Sequence, residues 1–298
     1  MVPSFTGGEK DGHPKMKKIK MLALDLDGTL LTKKKELTPG SRRVLEAAAG
    51  SGIHVVPVTG RPLSGLPENV LEIPGIRYVI TSNGAVTSDL ASGEKLRTAL
   101  LPCSTAEEIL EIPVTRGLIH NVFIDGTGYC EPAYFELQWQ FFRDTPVAEY
   151  VRKSRRVTED LAGLIRSAGD GIENIWIMAC DRNERDGIEQ LIRERWPVQT
   201  VLTAERDVEI GNPDADKGKA LEDLAARLHI EKEQIMAVGD NENDLGMFRA
   251  AGISAAMGNA SDAVRQAADL VTGTNEEDGA AAVIRQILKR QGQIWEEY

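Results

Sequence analysis

The residues best suited to chemistry fall in four short stretches. Asp25-Leu26-Asp27-Gly28-Thr29 places two carboxylates two residues apart, directly after the apolar run Ile19 to Leu24. Side chains alternate along a strand, so Asp25 and Asp27 both emerge from its end, and Gly28 permits a sharp departure. Two carboxylates this close ionise together only if a cation or a proton sits between them. The arrangement suits a nucleophile, an acid/base partner and a metal ion; an ordinary Asp-Gly turn closing a strand is the alternative.

The second stretch, Gly239-Asp240-Asn241-Glu242-Asn243-Asp244, follows the apolar run Ile235 to Val238. In a helix begun here, residues 240, 243 and 244 share one face, so Asp240, Asn243 and Asp244 converge. Gathered oxygens suit Mg²⁺, a hard ion held by one or two carboxylates plus waters and phosphate. An N-capping Asp with acidic first-turn neighbours explains Asp240 or Asp244 singly and the pair less well. In Val58-Thr59-Gly60-Arg61 a hydroxyl and free amides stand at a strand end, where a phosphate oxygen could bind, although Thr before Gly is also ordinary turn chemistry. Lys217 opens the helix after Asn212-Pro213-Asp214-Ala215-Asp216, with Asp216 as its N-cap. A lysine there opposes the helix dipole, which hints at another purpose. Lys219 lies about 200° around the helix and reads as solvated.

These residues need elements to position them. Ile19 to Leu24 and Ile53 to Val58 read as buried strands, Thr38-Pro39 as an N-cap and first helical residue, and Tyr78 to Thr81 as a third strand. The rhythm returns with a helix from Lys217 to Leu228, strands at Ile235 to Val238 and Ile253 to Met257, a helix begun by Ser261, a strand at Leu270 to Thr272 and a helix from Gly279 to Arg290. Such alternation implies an α/β fold, a Rossmann-like parallel sheet with helices on both faces. Ligands bind at the carboxyl ends of such strands, where Asp25, Thr59 and Asp240 stand. Between the halves the pattern changes to a strand from Val122 to Tyr129, an aromatic segment from Tyr134 to Phe142, a strand from Ile172 to Ala179 and a helix from Glu184 to Trp196. The expectation is a core domain of residues 18–88 and 205–298, interrupted by an α+β domain of residues 89–204, after a disordered extension of residues 1–17. Trp139 and its aromatic neighbours read as core of the inserted domain. The basic cluster Arg152, Lys153, Arg155, Arg156 reads as a solvated face, with substrate contact as the alternative.

Composition excludes several classes. The 298 residues fit two domains of about 150, and a net charge of −11 argues against duplex nucleic acid and anionic membrane surfaces as partners. Three scattered cysteines and four isolated histidines give no disulfide framework and no zinc spacing, so a reducing cytoplasm is expected. No run approaches the roughly eighteen apolar residues of a membrane span.

In order and strand placement, Asp25-x-Asp27-Gly-Thr, Thr59-Gly-Arg61, Lys217-Gly and Gly-Asp240-x-x-Asn243-Asp244 resemble the four motifs of the haloacid dehalogenase superfamily of phosphohydrolases. More narrowly, Ser82-Asn83-Gly84-Ala85, Val208-Glu209-Ile210 and Met257-Gly258-Asn259-Ala260 make the chain look like a Cof-type hydrolase of subfamily IIB. The resemblance implies an aspartyl-phosphate mechanism. Asp25 would be the nucleophile and Asp27 the general acid and then base. Mg²⁺ would be held by Asp25, the Asp27 carbonyl and Asp240, with Asp244 as a further ligand or support. Thr59, Gly60, Arg61, Asn83, Asn243 and Lys217 would bind the phosphate. The insertion would be a C2-type cap that selects the leaving group.

The implied function is Mg²⁺-dependent hydrolysis of a small phosphate monoester, such as a sugar phosphate, by a cytoplasmic monomer or homodimer. A phosphomutase or phosphotransferase would use the same aspartates with a hydroxyl acceptor. A phospho-aspartate signalling or binding module is a reading of another class; those domains are shorter and place the aspartate on a middle strand.

Overall fold

The computed structural model describes residues 17–112 and 115–292. The chain runs through β1 (Met21–Leu24), α1 (Pro39–Gly50), β2 (His54–Pro57), α2 (Glu68–Leu71), β3 (Tyr78–Thr81), β4 (Val86–Asp89) and β5 (Glu94–Thr98). A second set follows: α3 (Cys103–Glu111), β6 (Ile119–Ile124), β7 (Thr127–Cys130), α4 (Pro132–Phe142), α5 (Ala148–Ser154), β8 (Arg155–Val157), α6 (Leu161–Ala168), β9 (Ile172–Met178), α7 (Arg182–Arg195), β10 (Gln199–Val201) and β11 (Asp207–Gly211). The chain then returns through α8 (Lys217–Arg227), β12 (Ile235–Gly239), α9 (Leu245–Ala250), β13 (Ile253–Ala256), α10 (Asp262–Ala267), β14 (Leu270–Val271) and α11 (Gly279–Arg290).

The first sheet is parallel, in the order β14-β13-β12-β1-β2. Its strands are buried on both faces, as such a sheet requires. Leu22 and Leu24 join the residues of α1 and α11 on one side, while Met21 and Ala23 join those of α8 and α9 on the other. Thr38 caps α1, its hydroxyl accepting from the Ser41 amide at 3.0 Å, and Asp216 caps α8 through the Lys219 amide at 2.9 Å. Register decides where chemistry can occur. Leu24 stands opposite Val238 on one side and Pro57 on the other, so Asp25, Gly239 and Val58 leave the sheet side by side. The β3–β5 hairpins continue this layer through a parallel bridge between Val58 and Ile80.

The second sheet has the order β10-β11-β9-β6-β7-β8. Ile175, Ile177, Val208 and Ile210 point to one face, packed by α3, α6 and α7. Phe123, Trp176 and Met178 point to the other, partly covered by Tyr134 and Phe142 of α4.

Several expectations change in this region. The single strand expected from Val122 to Tyr129 is a hairpin, turned at Asp125-Gly126 with φ of 49° and 74°. Two successive positive φ values suit a tight two-residue hairpin turn. Trp139 is half-buried rather than core, because α4 lies on the sheet with Leu137 and Phe141 exposed. The basic cluster is not uniformly solvated: Arg152 and Arg156 are exposed, Lys153 pairs with Glu68, and Arg155 is buried. β5 pairs with β4 in a separate three-stranded sheet of β3, β4 and β5, and β11 pairs within the second sheet. The expected extension lies outside the described residues apart from Lys17, which pairs with Glu231. Among the described residues no helix is long and apolar enough to cross a membrane.

Candidate active site

Lys217 is the centre of the floor. Its ammonium donates to Asp25 Oδ1 at 2.8 Å and to Asp244 Oδ1 at 2.7 Å, all three residues being buried. The packing of α8 on α9 makes this possible: a Cβ on Gly218 would stand 2.4 Å from the backbone of Gly246. Burial alone would strip the charge from Lys217, but Asp244 and Asp25 outweigh it and hold the amine protonated, above its ordinary range. Asp244 is fully committed, since its Oδ2 accepts from the amides of Asp240 and Asn241 at 2.8 and 3.0 Å. Asp25 titrates well above the usual carboxylate range, because burial, with Asp244 and Asp240 nearby, outweighs Lys217.

Asp240 faces Asp25 across the strand ends. Burial and the Asp244 charge push its carboxyl up to about 6, against the Thr29 hydroxyl, which donates to Oδ1 at 3.1 Å. Gly28, at φ 86°, leaves room for it: a Cβ there would fall 2.2 Å from Asp240 Oδ2. Oxygens of Asp25, Asp240 and Asp244 lie within 4.8 Å of one another, an all-oxygen set that fits a hard divalent cation.

Asp27 is turned elsewhere. Arg61 grips it with two hydrogen bonds, Nε to Oδ2 at 2.6 Å and Nη2 to Oδ1 at 2.8 Å, and Lys35 Nζ stands 2.8 Å from Oδ1. Burial opposes ionisation, yet these two cations hold the carboxyl well below its usual range. Arg61 in turn lies under the ring of Tyr150 from α5, at 4.6 Å.

Asp25, Asp27, Thr59, Gly60, Arg61, Asp240 and Asn243 line one cleft of about 450 Å³, with Lys217 and Asp244 buried beneath it. Asn83 stands behind, its amide N–H donating to the Thr59 carbonyl and its Oδ1 accepting from Asn243 Nδ2 at 3.0 Å. The second sheet supplies the roof, with Trp176, Asp207 and Glu209, and Arg155 enters beside Tyr150. Sequence reasoning missed Lys35, Tyr150, Trp176 and Asp207. Lys35 belongs to the run Lys33-Lys34-Lys35, which carries no spacing signal, and the others meet the cleft only through tertiary placement.

Comparison with known proteins bears on this geometry. The profile of the family described as haloacid dehalogenase-like hydrolase matches residues 22–284. Phosphatase YwpJ of Bacillus subtilis (strain 168) is 30% identical over 287 residues, covering 91% of this chain and all of that one. The pyridoxal phosphate phosphatase YbhA of Escherichia coli (strain K12) is 27% identical over 270 residues, covering 89% and 97%. The crystal structure of a haloacid dehalogenase-like hydrolase from Bacteroides thetaiotaomicron superposes with a TM-score of 0.77 at 28% identity, covering 91% of this chain and 100% of that one.

Proposed function

Because the chain belongs to the haloacid dehalogenase-like hydrolases, of the Cof type, and is a phosphoric monoester hydrolase, we propose that it hydrolyses small phosphorylated metabolites through an aspartyl-phosphate on Asp25. The observation that carries this reading is the buried Asp25–Lys217–Asp244 chain beside Asp240. Lys217 fixes one oxygen of Asp25 and leaves the other free to attack phosphorus in line. As the phosphorus–ester bond breaks, the leaving oxygen takes a proton from Asp27. A water then attacks the aspartyl-phosphate, gives its proton to Asp27, and phosphate leaves with Asp25 regenerated.

Asp27 cannot act while Arg61 and Lys35 hold it as a carboxylate. A phosphoryl dianion competes for both cations, so their transfer to substrate would let the Asp27 carboxylate take up a proton from solvent, the proton it then gives to the leaving oxygen. Thr59, Gly60 and Asn243 line the cleft, where the Thr59 hydroxyl, the Gly60 amide and Asn243 would receive phosphoryl oxygens. Asp25, the Asp27 carbonyl and Asp240 would hold Mg²⁺, with Asp244 as support through the loop amides and Lys217. When bound, the ion supplies the positive charge against which the phosphoryl oxygens gain negative charge. The pyridoxal phosphate phosphatase among the relatives supports a small phosphorylated substrate. The second sheet and its helices, from about residue 100 to about residue 212, would act as the inserted cap.

Hydrolysis of p-nitrophenyl phosphate with and without EDTA, in the native chain and in Asp25→Asn, tests the reading. Turnover is expected only with Mg²⁺ and Asp25, with a phosphate adduct trapped on the Asp25 peptide by rapid acid quench. Turnover retained in Asp25→Asn would sink the covalent route.

A further inference from the structure

The roof of the cleft is unusual for a sheet face that closes against protein. Cross-strand partners share a face, so the rows Asn121, Trp176, Glu209 and Ile119, Met178, Asp207 set polar groups beside apolar ones there. Glu209 accepts one hydrogen bond, from Asn83 Nδ2 to Oε2 at 2.5 Å, and its other oxygen meets no donor among the described residues. Asp207 lines the same cleft beside it, with Trp176. Arg155 is only 6% exposed and lies over the rings of Phe123 and Tyr150 at 4.7 and 4.8 Å, while its Nε is buried without a partner.

Arg206 and Arg185 act on Asp207 from outside the cleft lining, their guanidinium groups bonded to the carbonyls of Ala179 and Ala204, and the remaining cations are already committed. Arg61 and Lys35 hold Asp27, and Lys217 holds Asp25 and Asp244. The roof therefore offers two carboxylate acceptors and one guanidinium donor, walled by the rings of Trp176 and Phe142.

We propose that Glu209, Asp207 and Arg155 form a leaving-group subsite that takes hydroxyl-bearing leaving groups and turns away those carrying a second anion. The inference rests on the phosphatase reading above. A hydroxyl both donates and accepts, so a row of hydroxyls can serve the two carboxylates and the Arg155 guanidinium together. A carboxylate or second phosphate only accepts, and it would meet two like charges against one cation in a partly dehydrated cleft.

The test uses the full chain with Mg²⁺ at about pH 8.5, above the raised range of Glu209 and Asp207, so that both roof carboxyls are ionised. Hydrolysis of p-nitrophenyl phosphate is followed with glucose 6-phosphate, glucosamine 6-phosphate or 6-phosphogluconate as competitor, molecules of one size that differ in charge. The inhibition constant of 6-phosphogluconate is expected to exceed the other two by about tenfold. Glu209→Gln and Asp207→Asn, singly and together, should shrink that gap to about threefold or less by tightening 6-phosphogluconate. A merely structural role would shift all three competitors alike.

Equal competition by 6-phosphogluconate in the native chain overturns the proposal, as does no competition from any of the three, or a gap that persists in every variant. Failure to hydrolyse p-nitrophenyl phosphate at all would remove the phosphatase reading and this inference with it. Equal competition in an active enzyme removes this inference alone.

Discussion

The floor and the roof of the cleft solve the problem of buried charge in opposite ways. On the floor the buried cation and its anchor are fully paired: Lys217 lies between Asp25 and Asp244, and Asp244 also gathers the loop amides of Asp240 and Asn241. On the roof the pairing is incomplete, with an oxygen of Glu209 and the Nε of Arg155 left over. A fully paired set is rigid and suits one reaction on one group, the phosphoryl. An incompletely paired set leaves valences for a variable ligand.

The contrast breaks most visibly at Lys217. Lys217→Met should lower turnover by about 10³-fold, because Asp25 loses its orientation and the phosphoryl group a cation. It should also cost about 3–5 kcal/mol in urea unfolding, since two buried carboxylates lose their shared partner. A loss under 1 kcal/mol would mean that the floor is no more tightly paired than the roof.

A smaller effect is expected where the two regions join. Glu173, buried on β9, accepts from the Ser82 hydroxyl at 2.6 Å and from the Gly126 amide at 2.7 Å, tying the loop after β3 to the hairpin of the second sheet. Glu173→Ala leaves both donors unpaired and should cost about 1–3 kcal/mol. Hydrogen exchange should rise at the Gly126 amide while β1 and β12 keep their protection.

The same contrast explains what the sequence disclosed. Asp25, Thr59 and Asp240 each stand at or just beyond the end of an apolar run, and parallel register brings such ends together, so local pattern sufficed for the floor. Trp176, Asp207 and Glu209 form one surface only because β6, β9 and β11 pair in a particular register, which no spacing encodes. Glu209 stood out in the sequence through its family motif, and nothing local tied it to the cleft. The Asp125-Gly126 turn was readable as a hairpin signal but sat inside an alternating run that reads equally as one strand. Arg155 differs from Arg156 only in which way β8 faces, so a run of basic residues gave no means of separating them.

Proton linkage gives the roof a further mark. Burial raises Glu209 from an ordinary 4.5 to about 7 and Asp207 from 3.8 to about 6, in each case against neighbouring cations and hydrogen bonds. Between the ordinary and raised values the folded chain keeps a proton that the unfolded chain has released. The stability that these groups contribute therefore falls as pH rises through that window, from about 4.5 to about 7 for Glu209. Urea midpoints measured across it should show a declining contribution in the native chain that Glu209→Gln flattens. An unchanged slope would mean that Glu209 is solvated and the roof is not a desolvated site.

The smallest effects separate two neighbours. Arg155→Ala removes a buried guanidinium from two rings and should cost about 1–2 kcal/mol in unfolding. Arg156 is exposed and bonds only the backbone carbonyls of Lys153 and Arg155, so Arg156→Ala should stay within about 0.5 kcal/mol. The pair also tests the charge balance of the roof. Without Arg155 the two carboxylates face the cleft unopposed, so 6-phosphogluconate should compete still more weakly than in the native chain, whereas Arg156→Ala should leave its inhibition constant where it was. Tighter competition in Arg155→Ala would show that charge balance does not set the selectivity of the roof.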